Sequence, residues 1–242
     1  MTSTEMTFSV RMQINALDAS RYRQFKQPHI DWALNEAQEL FIKSIVDPGR
    51  RQQLPQVEST QRTLDDLREV TVNQKPTDAI QVSVFDEVSY AGSLPTDYRH
   101  YLRGYANIKK GKCSKRARLF LGRLDTEFEE DPFTRSSFEW EEVNFNLLSG
   151  GLIRVYTDKT YSVESVVMDY LRNPKYIHAA KNYAGGQYKT VDGNLLSGSQ
   201  DCELATHTHP DIVSIAVLIL TNALRINDYS QKLAQLQNFY NQ

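Results

Sequence analysis

Cysteine is scarce in this chain: Cys113 and Cys202 are the two among 242 residues. So small a supply builds no disulfide framework and suits a reducing compartment. Glycine and proline are thin too, at 11 and 8 residues, which suits an ordered, folded chain rather than a linker or a tail. An excess of one charge is missing. With 28 Lys and Arg against 30 Asp and Glu the net charge is −2, and a general nucleic-acid binder carries a basic surplus instead. The longest apolar run, IVSIAVLILTNAL at 212–224, is about two-thirds of the ~20 residues that span a bilayer. The opening MTSTEMTFSV lacks the basic, apolar and small-residue succession of a signal peptide. A soluble protein made in a cytoplasm is expected.

What is present is aromatic and apolar: 13 Tyr, 10 Phe and 40% hydrophobic residues, enough for a sizeable core. Residues 1 to about 24 are polar without a clear period and read as a flexible arm that orders only on a partner. From Pro28 the residues Ile30, Leu34, Ala37, Phe41 and Ile45 recur at steps of three and four, one helical stripe. A shorter helix is expected around Leu64, Leu67 and Val70, with Ser59 or Thr60 as its cap. Ile80, Val82 and Val84 then alternate with polar neighbours and read as a half-buried strand. Spacing through Tyr98, Leu102 and Tyr105 predicts a helix over 94–106, and Leu119 and Leu121 a strand after a basic turn. Residues 151–171 read as a hairpin around Thr157-Asp158-Lys159, with a slip in phase between Val163 and Val166 or Val167. Residues 181–200, rich in glycine, read as a long flexible loop.

The order helix, strand, helix predicts an α+β protein in which N- and C-terminal helices pack as a bundle with an inserted antiparallel β lobe. The expected helical lobe takes in about 25–75, 94–106 and 203–242, and the β lobe about 76–93 and 113–175, within one domain over 25–242.

CELATHTHPD at 202–211 brings Cys202, Glu203, His207 and His209 close in sequence. A structural zinc site takes four ligands, usually as two close pairs, and this stretch offers one cysteine and an unsuitable His-x-His interval. The blander reading is a helix start, with Thr206 or Thr208 as cap, Pro210 in the first turn and Asp211 facing the helix dipole. A metal-dependent hydrolase or nuclease built on Cys202, His207 and His209 stands as the alternative. No catalytic, cofactor-binding or metal-binding residue is assigned, because no GxSxG or reactive cysteine motif appears. Acidic runs at 125–133 and 139–142 lack the calcium-loop pattern. The doublets Gly150-Gly151 and Gly185-Gly186 lack a phosphate-loop context. The basic run Lys109, Lys110, Lys112, Lys115, Arg116 and Arg118 divides between a solvated turn and a contact for an acidic or nucleic-acid surface, with no interleaved aromatics visible. Tyr229, Leu233, Leu236 and Tyr240 form a C-terminal stripe that packs on its own core or on a neighbouring subunit.

Asp131-Pro132-Phe133, then GGLIRVYTDKTYSVESVVMDYLRNPK at 150–175, then ELATHTHPDIVSIAVLILTNAL at 203–224 resemble the ring or head-to-tail connector proteins of crAss-like phages. The helix DWALNEAQELFIKSIVD at 31–47 also suits that pattern. A looser likeness, through Leu94, Pro95, Asp97 and Tyr98, is to the tail tubular A adaptors of short-tailed phages. The resemblance implies a virion protein without catalytic residues. It would form a closed ring, twelvefold, with portal and other connector or tail proteins as partners. DNA would pass through the lumen without sequence-specific binding, and no membrane would be involved. Assembly would take place in the host cytoplasm.

Overall fold

The computed structural model describes residues 1–17, 25–46, 65–122, 135–190 and 193–223. They divide into two compact units, Met1–Glu69 with Pro174–Gln242, and Val70–Asn173. The expected helical bundle with an inserted antiparallel lobe is overturned. Most of the regular structure is one large curled sheet of nine strands, it is mixed rather than antiparallel, and the described residues hold few helices.

The sheet lies within Val70–Asn173. Its strands are β1 (Thr71–Asn73), β2 (Ile80–Gln81), β3 (Ser83–Val84), β4 (Ser89–Ser93), β5 (Tyr98–Lys110), β6 (Cys113–Leu121), β7 (Glu142–Leu148), β8 (Leu152–Tyr156) and β9 (Ser162–Arg172). They run in the order β1-β9-β5-β6-β7-β8-β4-β3, with β2 also on β9. All pairs are antiparallel except β6 with β7. The short strands β2 and β3, with only Val82 between them, attach to opposite ends of this order. The curl therefore brings both ends of the sheet to one short stretch of chain, which covers edges that would otherwise be open.

Three sequence readings fail here for identifiable reasons. The helix expected over 94–106 is mostly strand β5. Its register against β9 slips between Tyr98 and His100 and again between Tyr101 and Arg103, so bulges break the alternation and leave apolar residues at helix-like intervals. The phase slip read near Val163 is a bulge as well, because the β5–β9 register shifts between Asn107 and Ile108 and passes over Glu164. The hairpin expected at 151–171 is two strands that do not pair: β8 sits between β7 and β4, whereas β9 pairs with β5, β1 and β2.

Inside the curl lie Ala106, Ile108, Ala117, Leu119, Val143, Phe145, Ile153, Val155, Val166 and Met168. Tyr101 packs against Phe145 with ring centroids 4.8 Å apart and the planes tilted by 58°. Gly92 makes the closure possible. A Cβ there would stand 2.8 Å from the Gln81 carbonyl oxygen and 2.9 Å from side-chain carbons of Ile80 and Val82, closer than packed atoms allow. Gly92→Val is expected to destabilise this unit by about 1–3 kcal/mol through overpacking. Urea denaturation checks this, with faster amide exchange over Ile80–Val84; a change within about 0.5 kcal/mol would contradict the tight approach.

In the other unit α1 (Ser3–Leu17) and α2 (Gln27–Val46) pack with α3 (His209–Ala223). The arm expected before residue 24 is helical over Ser3–Leu17. Thr2 and Glu5 form a reciprocal capping box: the Glu5 amide donates to the Thr2 hydroxyl and the Thr2 amide to the Glu5 carboxylate. Met6, Val10 and Ile14 are buried, while Phe8 and Met12 are exposed. This second apolar pair obscures the helical period in the sequence. In α2 the expected stripe Ile30, Leu34, Ala37, Phe41 and Ile45 is buried throughout. The α3 segment keeps its side chains from Ile212 to Thr221 buried or half-buried, as an apolar helix covered on most faces should. The stretch read as a flexible loop contains a two-stranded ribbon, β10 (Gln187–Lys189) paired with β11 (Leu195–Ser197). No helix among the described residues is long and apolar enough to cross a membrane. Ser59, Thr60, Leu64, the acidic run 125–133 and the stripe from Tyr229 to Tyr240 lie outside the described residues.

Candidate functional site

The stretch 202–211 begins α3 at His209, as the helix-start reading expects, with Pro210 and Asp211 in its first turn. The expected cap differs in detail, because the Thr208 hydroxyl donates back to the Ala205 carbonyl. The four suggested ligands do not converge, and each has its own partner. The Cys202 thiol lies 3.5 Å from Gln38 Oε1. Glu203 receives the Lys175 amide at 3.0 Å and pairs with its ammonium group at 3.0 Å. His207 Nε2 donates to Asp66 Oδ1 at 2.7 Å. His209 is buried; its Nε2 donates to the Leu204 carbonyl at 2.9 Å and its Nδ1 accepts from the Met1 amino group at 2.9 Å. Among the described residues no group of three or more His, Cys, Asp or Glu is placed to hold a metal ion.

Burial decides the ionisation of Cys202 and His209. It pushes the Cys202 thiol up to about 11, so no thiolate forms near neutral pH. It also lowers the affinity of His209 for a second proton, with the nearby Met1 ammonium acting in the same direction. A neutral imidazole with one donor and one acceptor is the form that these two hydrogen bonds require.

A dense polar cluster of this unit lies on α2, where Asp31, Asn35 and Gln38 stand at steps of four and three. They face every second residue of Lys175–Ala179. Asp31 Oδ2 accepts from the Ala179 amide at 3.2 Å and from the Tyr188 hydroxyl at 2.6 Å. Asn35 donates to the Ile177 carbonyl at 2.7 Å and accepts from the Ile177 amide at 2.8 Å. Gln38 reaches the Lys175 carbonyl at 3.5 Å. The helix thus supplies side-chain partners where a neighbouring strand would supply backbone ones, and buried peptide groups need such partners. Burial raises the Asp31 carboxyl above its ordinary range despite the hydrogen bonds it accepts. Burial, and the Asp31 carboxylate beside it, push the Tyr188 phenol upward. Sequence reading missed this cluster. Its signal was three hydrogen-bonding side chains at helical spacing beside an apolar stripe.

The remaining candidate features are exposed. Phe8 and Met12 on α1 and Trp32 and Leu40 on α2 belong to one unit; Val84, Phe85, Phe120, Leu121 and Trp140 belong to the other. Trp140, at 80% exposure, stands in the turn bounded by the Ser137–Glu142 bridge. Its amide and that of Glu139 donate to the Ser137 hydroxyl, and Glu141 takes a left-handed φ of 56°. The basic run lies on the β5–β6 hairpin around Gly111, so it follows a strand and not the expected helix. Lys109 pairs with Glu164 and Lys115 with Glu141, each at 3.1 Å.

Compared with known families and curated proteins, the chain matches no family model and no curated protein.

Proposed function

We propose that this chain is a structural virion protein, the subunit of a ring in the phage head-to-tail connector that joins portal to tail around the DNA channel. The proposal rests on the sequence blocks at 150–175 and 203–224, and it does not depend on the helical-bundle architecture that the structure overturned. The observation that carries it is the set of large apolar side chains left uncovered on α1 and α2, Phe8, Met12, Trp32 and Leu40. Phe8 and Met12 lie one turn apart on α1, with Phe8 at 64% exposure, although the opposite face of that helix is fully buried. Exposed apolar patches on a folded chain mark surfaces that another protein covers. In a closed ring each copy would offer one such face to the next and receive the next copy's on another. Twelve copies, a place in the virion neck and assembly in the host cytoplasm are part of the proposal.

Mass photometry of the purified protein over a concentration series tests the self-association. Multimers are expected to form and to be lost in the Phe8→Ser, Met12→Ser double variant while its circular dichroism stays native. A chain that remains monomeric at every concentration, alone and with portal protein, would count against the proposal. The metal-dependent hydrolase or nuclease is not favoured, since Cys202, His207 and His209 are engaged separately.

A further inference from the structure

The two strands that flank Gly111 present a face that the sequence did not reveal. Ala117 and Leu119 point into the core, so Arg116, Arg118 and Phe120 stand on the outward side of β6. Tyr105 pairs with Arg118 and Asn107 with Arg116 in the antiparallel ladder, which sets Tyr105 on the same face. The Arg116 guanidinium lies over the Tyr105 ring, 5.1 Å from its centroid. Phe120 is 43% exposed. Trp140 stands two residues before Glu142, the residue that pairs with Arg118 in the parallel ladder. Neighbouring cations are neutralised, Lys109 by Glu164, Lys115 by Glu141 and Arg103 by Asp169. Arg116 and Arg118 form no ion pair among the described residues.

We infer that this outward face of β5 and β6 binds single-stranded nucleic acid without sequence preference. Arg116 and Arg118 spring from alternate residues of one strand, ~7 Å apart along the backbone, a spacing suited to successive phosphates of an extended strand. A planar guanidinium meets a phosphate through paired hydrogen bonds. Tyr105 and Phe120 supply flat apolar surfaces on the same face as those charges, on which unpaired bases stack. An acidic protein segment would satisfy the two arginines and leave the rings unused, and a closed duplex hides the base faces that the rings would cover. Glu142 is an acidic group on this face, and it opposes the binding in part. The inference is independent of ring assembly, since every residue it uses belongs to one copy.

Fluorescence anisotropy with a short labelled oligothymidylate, at low and rising salt, tests it. Binding that weakens with salt is expected. Arg116→Ala with Arg118→Ala should weaken it and reduce the slope of log affinity against log salt by about 1.4, the value for two phosphates on a single strand. Phe120→Ala should cost at least about fivefold and leave that slope unchanged. These side chains are exposed, so the variants should keep the native circular dichroism spectrum. No binding at low salt would overturn the inference. So would polyglutamate or a duplex of equal length competing as well as unlabelled oligothymidylate while Phe120→Ala has no effect, a result that would assign the face to an acidic partner.

Discussion

Asp31→Ala is expected to lower the stability of its unit by about 3 kcal/mol, because it strands buried donors that cost roughly 1–3 kcal/mol each when unpaired. Those donors are the Tyr188 hydroxyl, the Ala179 amide and one Gln27 amide hydrogen, all directed at a carboxylate with no exposed surface. Asp31→Asn keeps the shape and an acceptor, and should stay within about 1 kcal/mol of the parent near neutral pH. Both variants also differ from the parent in acid, since neither carries the titrating carboxyl. Burial, the largest influence, raises the folded carboxyl above 3.8, so the folded state holds the proton more tightly than the unfolded one. The proton-linked part of the Asp31 contribution is then fully present below the unfolded value and is lost as pH climbs through the folded value. Asp31→Asn should remove that part of the pH dependence. Urea denaturation followed by circular dichroism across this range, with amide exchange to localise the effect, checks both statements. An Asp31→Ala variant as stable as the parent would show that the cluster on α2 does not hold Lys175–Ala179.

Phe145→Ala should cost more, about 3–5 kcal/mol, the range for emptying a large buried aromatic site. Phe145 is completely buried on β7, and the Tyr101 ring packs on it. Its neighbours in the curl come from β5, β6, β8 and β9, so no single strand can move in to fill the space. The loss should appear as a lower urea midpoint, with accelerated exchange confined to Val70–Asn173. Phe145→Leu should lose much less, since it leaves a smaller void. Equal stability of Phe145→Ala and the parent would mean that the inside of the curl is not a packed core.

Local pattern was legible where a single element satisfied its own periodicity. The stripe from Ile30 to Ile45 gave α2, and the dense apolar run after Pro210 gave α3, because helical burial depends on neighbours three and four positions away. Strand partners were not legible. Nothing in 151–171 says that β8 and β9 will be separated by three other strands, since pairing is settled by the whole sheet. Bulges turned β5 into a false helix by shifting Tyr98, Leu102 and Tyr105 out of alternation. That error in turn hid Tyr105 from the basic run that it adjoins. In α1 the reverse happened: Phe8 and Met12 added a second apolar pair, and the Thr2–Glu5 capping box was overlooked. The cluster at 202–211 was read correctly as a helix start, but the partners of its histidines, Asp66 and the Leu204 carbonyl, could not be paired with them from spacing alone.

The central claim is that the uncovered apolar faces of α1 and α2 are meant for copies of this chain and for adjoining virion parts. Electron microscopy of the purified protein mixed with its portal tests this most directly. A closed ring seated on the portal, with Phe8 and Met12 buried between subunits, is the expected image. A monomer that never joins the portal, with both side chains still facing solvent, would contradict the account.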